Sequence, residues 1–137
     1  MRQAAAALLL LASMAASANE VAVVVAANLG VGALTPAQVS DIYLGRVSRF
    51  PDGTVATPCD LAADSPTRAA FYERVLGKTS AQVKAHWSKM VFTGRGQPPR
   101  EVLNDEEAKK LVAGQPGMVC YIDKRRVDSQ VKVVLER

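Results

Sequence analysis

Residues 21–27 have the sequence Val-Ala-Val-Val-Val-Ala-Ala, a nearly continuous run of small and β-branched side chains. A run of this kind, with no polar residue at alternate positions, is typical of a strand buried on both faces of a parallel sheet. The stretch therefore predicts the first strand of a sheet that has further elements packed on both of its faces.

Four segments after this strand carry helix signals. Each begins at a residue that is common at helix N-caps, and two of the four have the complete capping-box pattern, with Gln three residues after Thr. Glycine, which is common just past the last turn of a helix, follows or ends three of them. The predicted helices begin at Thr35, Ser65, Thr79 and Asn104, and the glycines are Gly45, Gly77 and Gly114.

Three further segments are rich in β-branched or apolar residues and predict strands. They are separated from the helices by a turn at Phe50–Gly53 and by a glycine- and proline-rich loop at Thr93–Pro99. Alternation of strands and helices with short connections indicates the α/β class, a layered sandwich with a mostly parallel sheet. The predicted strands are Thr54–Cys59, Met118–Ile122 and Val131–Leu135.

The first 18 residues differ from the rest and resemble a secretory signal peptide. Arg2 supplies a positive charge, Ala4–Ala12 is an unbroken run of Ala and Leu, and Ala16-Ser17-Ala18 is a cleavage site of the A-x-A type. The apolar run is shorter than the roughly 20 residues that a membrane-spanning helix needs. We therefore expect cleavage after Ala18, a single domain over residues 19–137, and a periplasmic or secreted protein.

Composition excludes several classes of function. The chain of 137 residues has a formal charge of +4, two cysteines and one histidine. Two cysteines and one histidine are too few for the usual zinc sites, so no metal or other cofactor is expected. Loss of Arg2 lowers the charge to +3, and no run of Lys and Arg is long enough to indicate nucleic-acid binding.

No catalytic constellation is evident in the sequence. Ser65 lacks the flanking glycines of a nucleophile elbow, and His86 has no nucleophile near it in sequence, so a structural histidine is favoured. The segment Thr93-Gly94-Arg95-Gly96 lacks the spacing of a phosphate-binding loop and is interpreted as structural. Arginines at four positions are expected to be solvated, with guidance of an anion or a partner as the alternative. These are Arg46, Arg49, Arg95 and Arg100.

Five motifs, in order along the chain, resemble the periplasmic phosphate-binding proteins of ABC transporters. Among them, Ser65-Pro66-Thr67-Arg68 with Phe71 is similar to the family's "SGTR...F" motif. The resemblance implies one lobe of a type II periplasmic binding protein and an exported solute-binding role. The other four segments are Leu34–Arg46, similar to "LT..Q...IF.G", Pro51–Gly53, Gly114–Tyr121, similar to "pGaigY", and Val131–Val134.

The sequence departs from the family pattern at two levels. Full-length members have two lobes with the anion between them, and this chain is long enough for about one. In the family an arginine and an aspartate before the SGT motif contact phosphate, and the matching positions are Leu61 and Ala63. Pro66 replaces the motif glycine and removes a backbone N–H.

The ligand site implied by the resemblance lies at the start of the second predicted helix. A helix N-terminus offers free N–H groups and a partial positive charge, and Ser65, Thr67 and Arg68 could add donors to phosphate or a similar oxyanion. The alternative is that Asp64 or Ser65 only caps the helix, and a charged Asp64 near the site would repel an anion. Weak binding by Ser65, Thr67 and Arg68 and capping alone both remain open.

The two cysteines also allow two interpretations. Cys59 and Cys120 lie in or at the end of predicted strands of one sheet, and export would permit a disulfide between them. Buried free thiols are the alternative, and cysteines on opposite faces of the sheet could not pair.

Two functions follow from the sequence. The first is an exported domain that binds phosphate or a related oxyanion weakly, with a membrane permease or a second copy of the chain as partner. The second is an interaction or accessory domain that kept the fold without the ligand.

Overall fold

Five strands and four helices alternate along residues 20–137, the part of the chain described by this computed structural model. The predicted signal peptide lies outside the described residues. The strands are β1 (Val21–Ala26), β2 (Thr57–Leu61), β3 (Arg100–Val102), β4 (Met118–Asp123) and β5 (Val131–Glu136). The helices are α1 (Pro36–Tyr43), α2 (Pro66–Phe71), α3 (Ser80–Phe92) and α4 (Asp105–Gly114), with a π-helical turn at Tyr72–Leu76 and a 3₁₀ turn at Lys124–Arg126.

The strands form one sheet in the order β3-β2-β4-β1-β5. β2 is parallel to β3 and to β4, whereas β1 is antiparallel to both of its neighbours, β4 and β5. Four strands therefore point in one direction, which confirms the α/β class and the mostly parallel sheet.

β1 itself corrects one detail of the sequence interpretation. All six of its residues are buried, as predicted, but the strand runs against the other four. Burial on both faces depends on what covers the sheet and not on strand direction. An apolar run therefore predicts that a strand is buried, but it does not predict whether the strand is parallel or antiparallel to its neighbours.

The capping boxes form as the sequence predicts. The Thr35 hydroxyl accepts a hydrogen bond from the Gln38 backbone N–H (3.1 Å), and the Gln38 side chain accepts one from the Thr35 N–H (2.9 Å). The same reciprocal pair links Thr79 and Gln82 at the start of α3. These bonds satisfy donors that the first helical turn leaves without intrahelical partners.

Three elements differ from their predicted form. β2 begins at Thr57 rather than Thr54 and continues to Leu61. The helix that begins at Ser65 is α-helical only to Phe71 and then widens into the π-helical turn, which ends at Gly77 in the left-handed conformation. β3 was not predicted, because it has only three residues and directly follows Pro98-Pro99.

An aromatic cluster holds α1 and α2 against the centre of the sheet. The Phe71 and Tyr121 rings are stacked with centroids 3.9 Å apart, and Tyr43 packs edge-on against Phe71. The buried Tyr43 hydroxyl donates to the carbonyls of Cys59 (2.7 Å) and Val119 (3.1 Å), which belong to β2 and β4. The cluster therefore fixes the position of α2, and with it the predicted ligand site.

Candidate functional site

The predicted ligand site begins at Ser65, the N-cap of α2. The Ser65 hydroxyl accepts a hydrogen bond from the Arg68 backbone N–H at 3.3 Å, and Pro66 occupies the first helical position. Thr67 is nine-tenths buried beside them. Capping therefore engages the Ser65 oxygen and one of the few N–H groups that this short helix offers.

The Arg68 side chain turns away from the start of α2. Its Nη1 donates to the Leu61 carbonyl and to a carboxylate oxygen of Glu101, each at 2.8 Å, and lies 3.9 Å from a carboxylate oxygen of Asp60. Its guanidinium also lies over the Tyr72 ring, 5.1 Å from the centroid. Arg68 is therefore held by an internal carbonyl and two acids.

The structure separates the three predicted ligand residues between two depressions. Ser65 and Thr67 line a cavity of about 450 Å³ at the start of α2, which we call the α2 cavity. Arg68 instead lines an open groove of about 900 Å³ between α3 and the segment that leads into β3, which we call the α3 groove. The arrangement does not bring the three side chains together around one ligand.

Acidic residues dominate the charge of the α2 cavity. Asp64, Asp105 and Glu106 line it together with a single cation, Arg126. Burial raises the pKa of Asp105, whose carboxylate also accepts a hydrogen bond from the Asp123 N–H at 3.3 Å. Carboxylates next to a helix N-terminus compete with an external anion for its partial positive charge.

A buried carboxylate, which the sequence analysis did not single out, lies behind Arg68. Asp60 is the fourth residue of β2, and its carboxylate accepts hydrogen bonds from the hydroxyls of Tyr72 and Tyr121 and from the Leu61 backbone N–H. Burial raises the pKa of Asp60, although the two tyrosine hydroxyls and the charge of Arg68 oppose the shift. Burial and the adjacent Asp60 also raise the pKa of both tyrosines, so their hydroxyls remain protonated donors.

We call Asp60, Arg68, Tyr72 and Tyr121 the Asp60 cluster. It joins β2, β4, α2 and the π-helical turn. Of the two apolar residues singled out in the sequence, Leu61 is buried and bonds through its backbone, and Ala63 lines the α3 groove. The signal for the cluster in the sequence is a charged residue that directly follows the predicted strand Thr54–Cys59 and precedes the apolar segment Leu61–Ala63. A buried charge needs partners, and one of them, Tyr121, lies 61 residues away in the chain.

The two cysteines lie on adjacent strands on the same side of the sheet. The structure pairs Cys59 of β2 with Cys120 of β4, with Cα atoms 5.0 Å apart and the sulfurs joined as a disulfide. The geometry therefore removes the objection that the two side chains could face opposite ways. Oxidation of the pair in the protein stays a prediction.

The remaining candidates have local structural partners or are exposed. The half-buried His86 ring nitrogen Nε2 lies 2.8 Å from the Leu44 carbonyl and so links α3 to the end of α1. Arg46 pairs with Asp41, and Arg49 donates to the Gly53 carbonyl at 2.9 Å. Arg95 and Arg100 are exposed, on the loop after α3 and at the start of β3.

The described residues show neither a metal-binding cluster nor a membrane-spanning helix. Residues 20–137 contain no group of three or more His, Cys, Asp or Glu side chains that could hold a metal ion. None of the described helices has the length and apolar character that a bilayer-crossing helix needs.

Comparison with known proteins places the fold. No protein-family model matches the chain, and no curated protein sequence matches it. Solved structures do. The chain is similar to a candidate phosphate ABC transporter substrate-binding protein with bound phosphate from Clostridium perfringens, at 24% identity and a TM-score of 0.66 over 83% of this chain and 43% of that chain.

Two other solved structures give the same result. An ABC-type phosphate transport receptor from Vibrio cholerae matches at 23% identity with a TM-score of 0.63, over 83% of this chain and 44% of that one. A candidate phosphate-binding protein from Planctomyces limnophilus matches at 16% identity with a TM-score of 0.59, over 85% and 42%.

These likenesses confirm the predicted resemblance at the level of the fold. Residues 20–137 have the α/β fold of periplasmic substrate-binding proteins, and the chain spans less than half the length of the structures that it matches.

Proposed function

We propose that this chain is an exported accessory domain with the fold of the phosphate-binding proteins, which acts through a partner and does not itself enclose an anion. The observation that carries the proposal is the position of Arg68, whose guanidinium is engaged by Glu101, Asp60 and the Leu61 carbonyl. The charge of an arginine held in this way is compensated by two carboxylates, and its Nη1 is directed at the protein and not at the start of α2. The proposal assigns no catalytic step to the chain.

The surroundings of the predicted site support the same proposal. Three carboxylates line the α2 cavity, and Pro66 lacks the N–H that glycine would offer there. An open helix N-terminus by itself supplies on the order of 1 kcal/mol of charge–dipole energy, which salt screens. Tight binding of an anion needs an enclosing set of donors, and this chain spans less than half of the proteins that it resembles.

A calorimetric titration of the exported protein with phosphate and with sulfate tests the proposal, together with a mass measurement in solution. For the monomer we expect a Kd no tighter than roughly millimolar, which corresponds to about −4 kcal/mol. A micromolar Kd for a verified monomer would contradict the proposal, because it would require donors that Ser65, Thr67 and Arg68 do not supply.

A second candidate function is weak binding of phosphate or a similar oxyanion within a larger assembly. The likeness to a structure with bound phosphate favours it, since a second copy of the chain or a membrane permease could cover the α2 cavity. In that case Arg126→Ala, which removes the cation of the cavity, should weaken the rise in melting temperature caused by phosphate, and Asp64→Asn should strengthen it. Arg100→Ala, which removes an exposed arginine elsewhere, is the matched control and should change nothing.

The proposal that the protein is exported rests on the sequence of residues 1–18. Ala16 and Ala18 provide the small residues that signal peptidase requires, so the mature protein should begin at Asn19. Intact-mass measurement of protein secreted from a bacterial host decides this. A soluble species that retains residues 1–18 would count against a periplasmic or secreted location.

A further inference from the structure

Positive charge is concentrated in one segment of the chain. Between residues 78 and 100 the sequence contains no Asp or Glu, while the overall charge of the chain is only +4. Ion pairs elsewhere engage Arg46, Arg68, Lys109 and Lys124, but within residues 20–137 none of the cations of this segment forms one. Those cations are Lys78, Lys84, Lys89, Arg95 and Arg100.

Most of this segment belongs to helix α3, which is largely exposed. Of its 13 residues only Val83 is buried, and its contacts with the rest of the protein lie on one side, where the Trp87 ring packs against Gly45. Lys89 precedes Phe92 by three residues and so lies beside it on the helix surface, whereas Lys84 is exposed two turns earlier, where it lines the α3 groove as Phe92 does. The helix is therefore attached through a few residues and keeps its two lysines exposed.

Two apolar side chains lie among these cations. Phe92 is 92% exposed and Val91 is 44% exposed at the C-terminal end of α3, and Arg95 follows in the adjoining loop. We call Lys84, Lys89, Val91, Phe92 and Arg95 the basic face. An exposed aromatic ring among basic residues matches the interfacial zone of a bilayer, where rings enter the headgroup region and cations meet lipid phosphates.

The acids nearest to the basic face do not cancel its charge. Glu101 and Asp60 line the α3 groove, as Lys84, Val91 and Phe92 do, but both lie against the guanidinium of Arg68, which compensates their charge. The other carboxylates with a described role belong to the α2 cavity or to ion pairs at other places in the fold.

We propose that the basic face docks on the surface of an anionic phospholipid bilayer, with Phe92 and Val91 entering the headgroup region and Lys84, Lys89 and Arg95 contacting lipid phosphates. Charge complementarity identifies what binds the basic face, because neither a neutral surface nor a purely apolar partner would form ion pairs with its cations. The inference extends the proposed accessory role by naming the surface on which the domain works. It does not depend on phosphate binding, so the two proposals can fail separately.

Co-sedimentation with lipid vesicles tests the inference, using exported protein whose mature N-terminus has been verified by mass. We expect binding to vesicles with about a third phosphatidylglycerol, little binding to pure phosphatidylcholine, and release at roughly 0.5 M salt. Lys84→Glu/Lys89→Glu should weaken binding by more than about tenfold. Phe92→Ser should weaken it by about tenfold.

Two variants elsewhere provide matched controls. Lys110→Glu reverses the charge of an exposed lysine on α4, and Leu103→Ser removes a side chain that is 79% exposed outside the basic face. Both should bind vesicles like the wild type, and circular dichroism should show that all variants are folded. Equal binding to both kinds of vesicle, or equal losses for Lys84→Glu/Lys89→Glu and Lys110→Glu, would overturn the proposal. Failure of the wild type to bind anionic vesicles would overturn it too, and would favour an acidic protein surface as the occupant.

Discussion

The centre of the sheet is almost completely buried, whereas most side chains of helix α3 are exposed. All six residues of β4 are buried, and so are all six of β1, whereas α3 buries one residue of 13. The sheet centre also satisfies its polar groups internally, with Asp60 bonded to two tyrosines and the Tyr43 hydroxyl bonded to two carbonyls. The cations of α3 have no comparable partners among the described residues.

This difference indicates that stability and surface function belong to separate parts of the molecule. A substitution in the sheet centre should lower the free energy of unfolding, because it removes contacts that only the folded state makes. A substitution on the exposed side of α3 should leave that free energy nearly unchanged and alter what the protein binds. Changes made in each region can test this division.

The largest expected effect in the sheet centre comes from the disulfide. Cys59 and Cys120 are 61 residues apart, and a crosslink over a loop of that length stabilises the folded state by about 4 kcal/mol in the chain-entropy model. A reductant should therefore lower the free energy of unfolding measured in urea, and thiol titration of the denatured, air-purified protein should find no free thiol.

The variant Cys59→Ala/Cys120→Ala is the control for this experiment. Its stability should be lower than that of the oxidised wild type and should not respond to the reductant. Two free thiols per chain in the air-purified wild type would reject the disulfide and return both cysteines to the role of buried apolar side chains.

The next largest effect is expected at Asp60. Asp60→Ala leaves the buried hydroxyls of Tyr72 and Tyr121 without their acceptor and Arg68 without one of its two acids, which should cost about 3 kcal/mol in urea denaturation. Asp64→Ala, four residues further along and exposed, should cost less than about 0.5 kcal/mol. Equal losses for the two variants would show that the Asp60 cluster does not stabilise the sheet centre.

The raised pKa of Asp60 also predicts a pH dependence. The folded state binds the Asp60 proton more tightly than the unfolded chain does, so the contribution of Asp60 to stability is largest at low pH. It decreases as the pH rises from the ordinary carboxyl range through the raised pKa. The stability advantage of the wild type over Asp60→Asn should therefore be smaller at about pH 7 than at about pH 4. The opposite trend would mean that hydrogen bonding outweighs burial at this carboxylate.

The elements predicted correctly from the sequence depend on local signals. The capping boxes at Thr35 and Thr79 and the apolar run of β1 each involve a few neighbouring residues, and the structure contains the elements that they predict. The direction of β1 was predicted wrongly because it depends on β4 and β5, which lie about 100 residues further along the chain.

The candidate site was less predictable for the same reason. Whether the Arg68 guanidinium faces a ligand or the protein depends on Glu101, which is 33 residues away. Tyr121, whose hydroxyl donates a hydrogen bond to the buried Asp60 carboxylate, is 61 residues away from it. A motif such as Ser65–Arg68 identifies a helix start, but only the fold decides where each side chain of that motif points.

The smallest of these effects concerns the contact between α3 and the rest of the protein, and its test is Gly45→Ala. Gly45 has a left-handed φ of +74°, and a Cβ atom there would lie 2.9 Å from Cη2 of Trp87. We expect a loss of about 2 kcal/mol in the free energy of unfolding, part of it from the backbone and part from displacement of the indole ring. Because Trp87 is the only tryptophan, its fluorescence should report the displacement directly.

Gly77→Ala separates the two contributions. Gly77 has a similar φ of +63°, but a Cβ atom there would meet nothing within 4 Å. It should therefore show only the backbone cost of about 1 kcal/mol and leave the Trp87 fluorescence unchanged. If Gly45→Ala costs no more than Gly77→Ala and also leaves the fluorescence unchanged, the Trp87 contact does not fix α3 to the end of α1. The attachment of α3 would then rest on its other contacts, such as that of the His86 ring with the Leu44 carbonyl, and the division between a stabilising sheet centre and an exposed α3 would hold without the Trp87 contact.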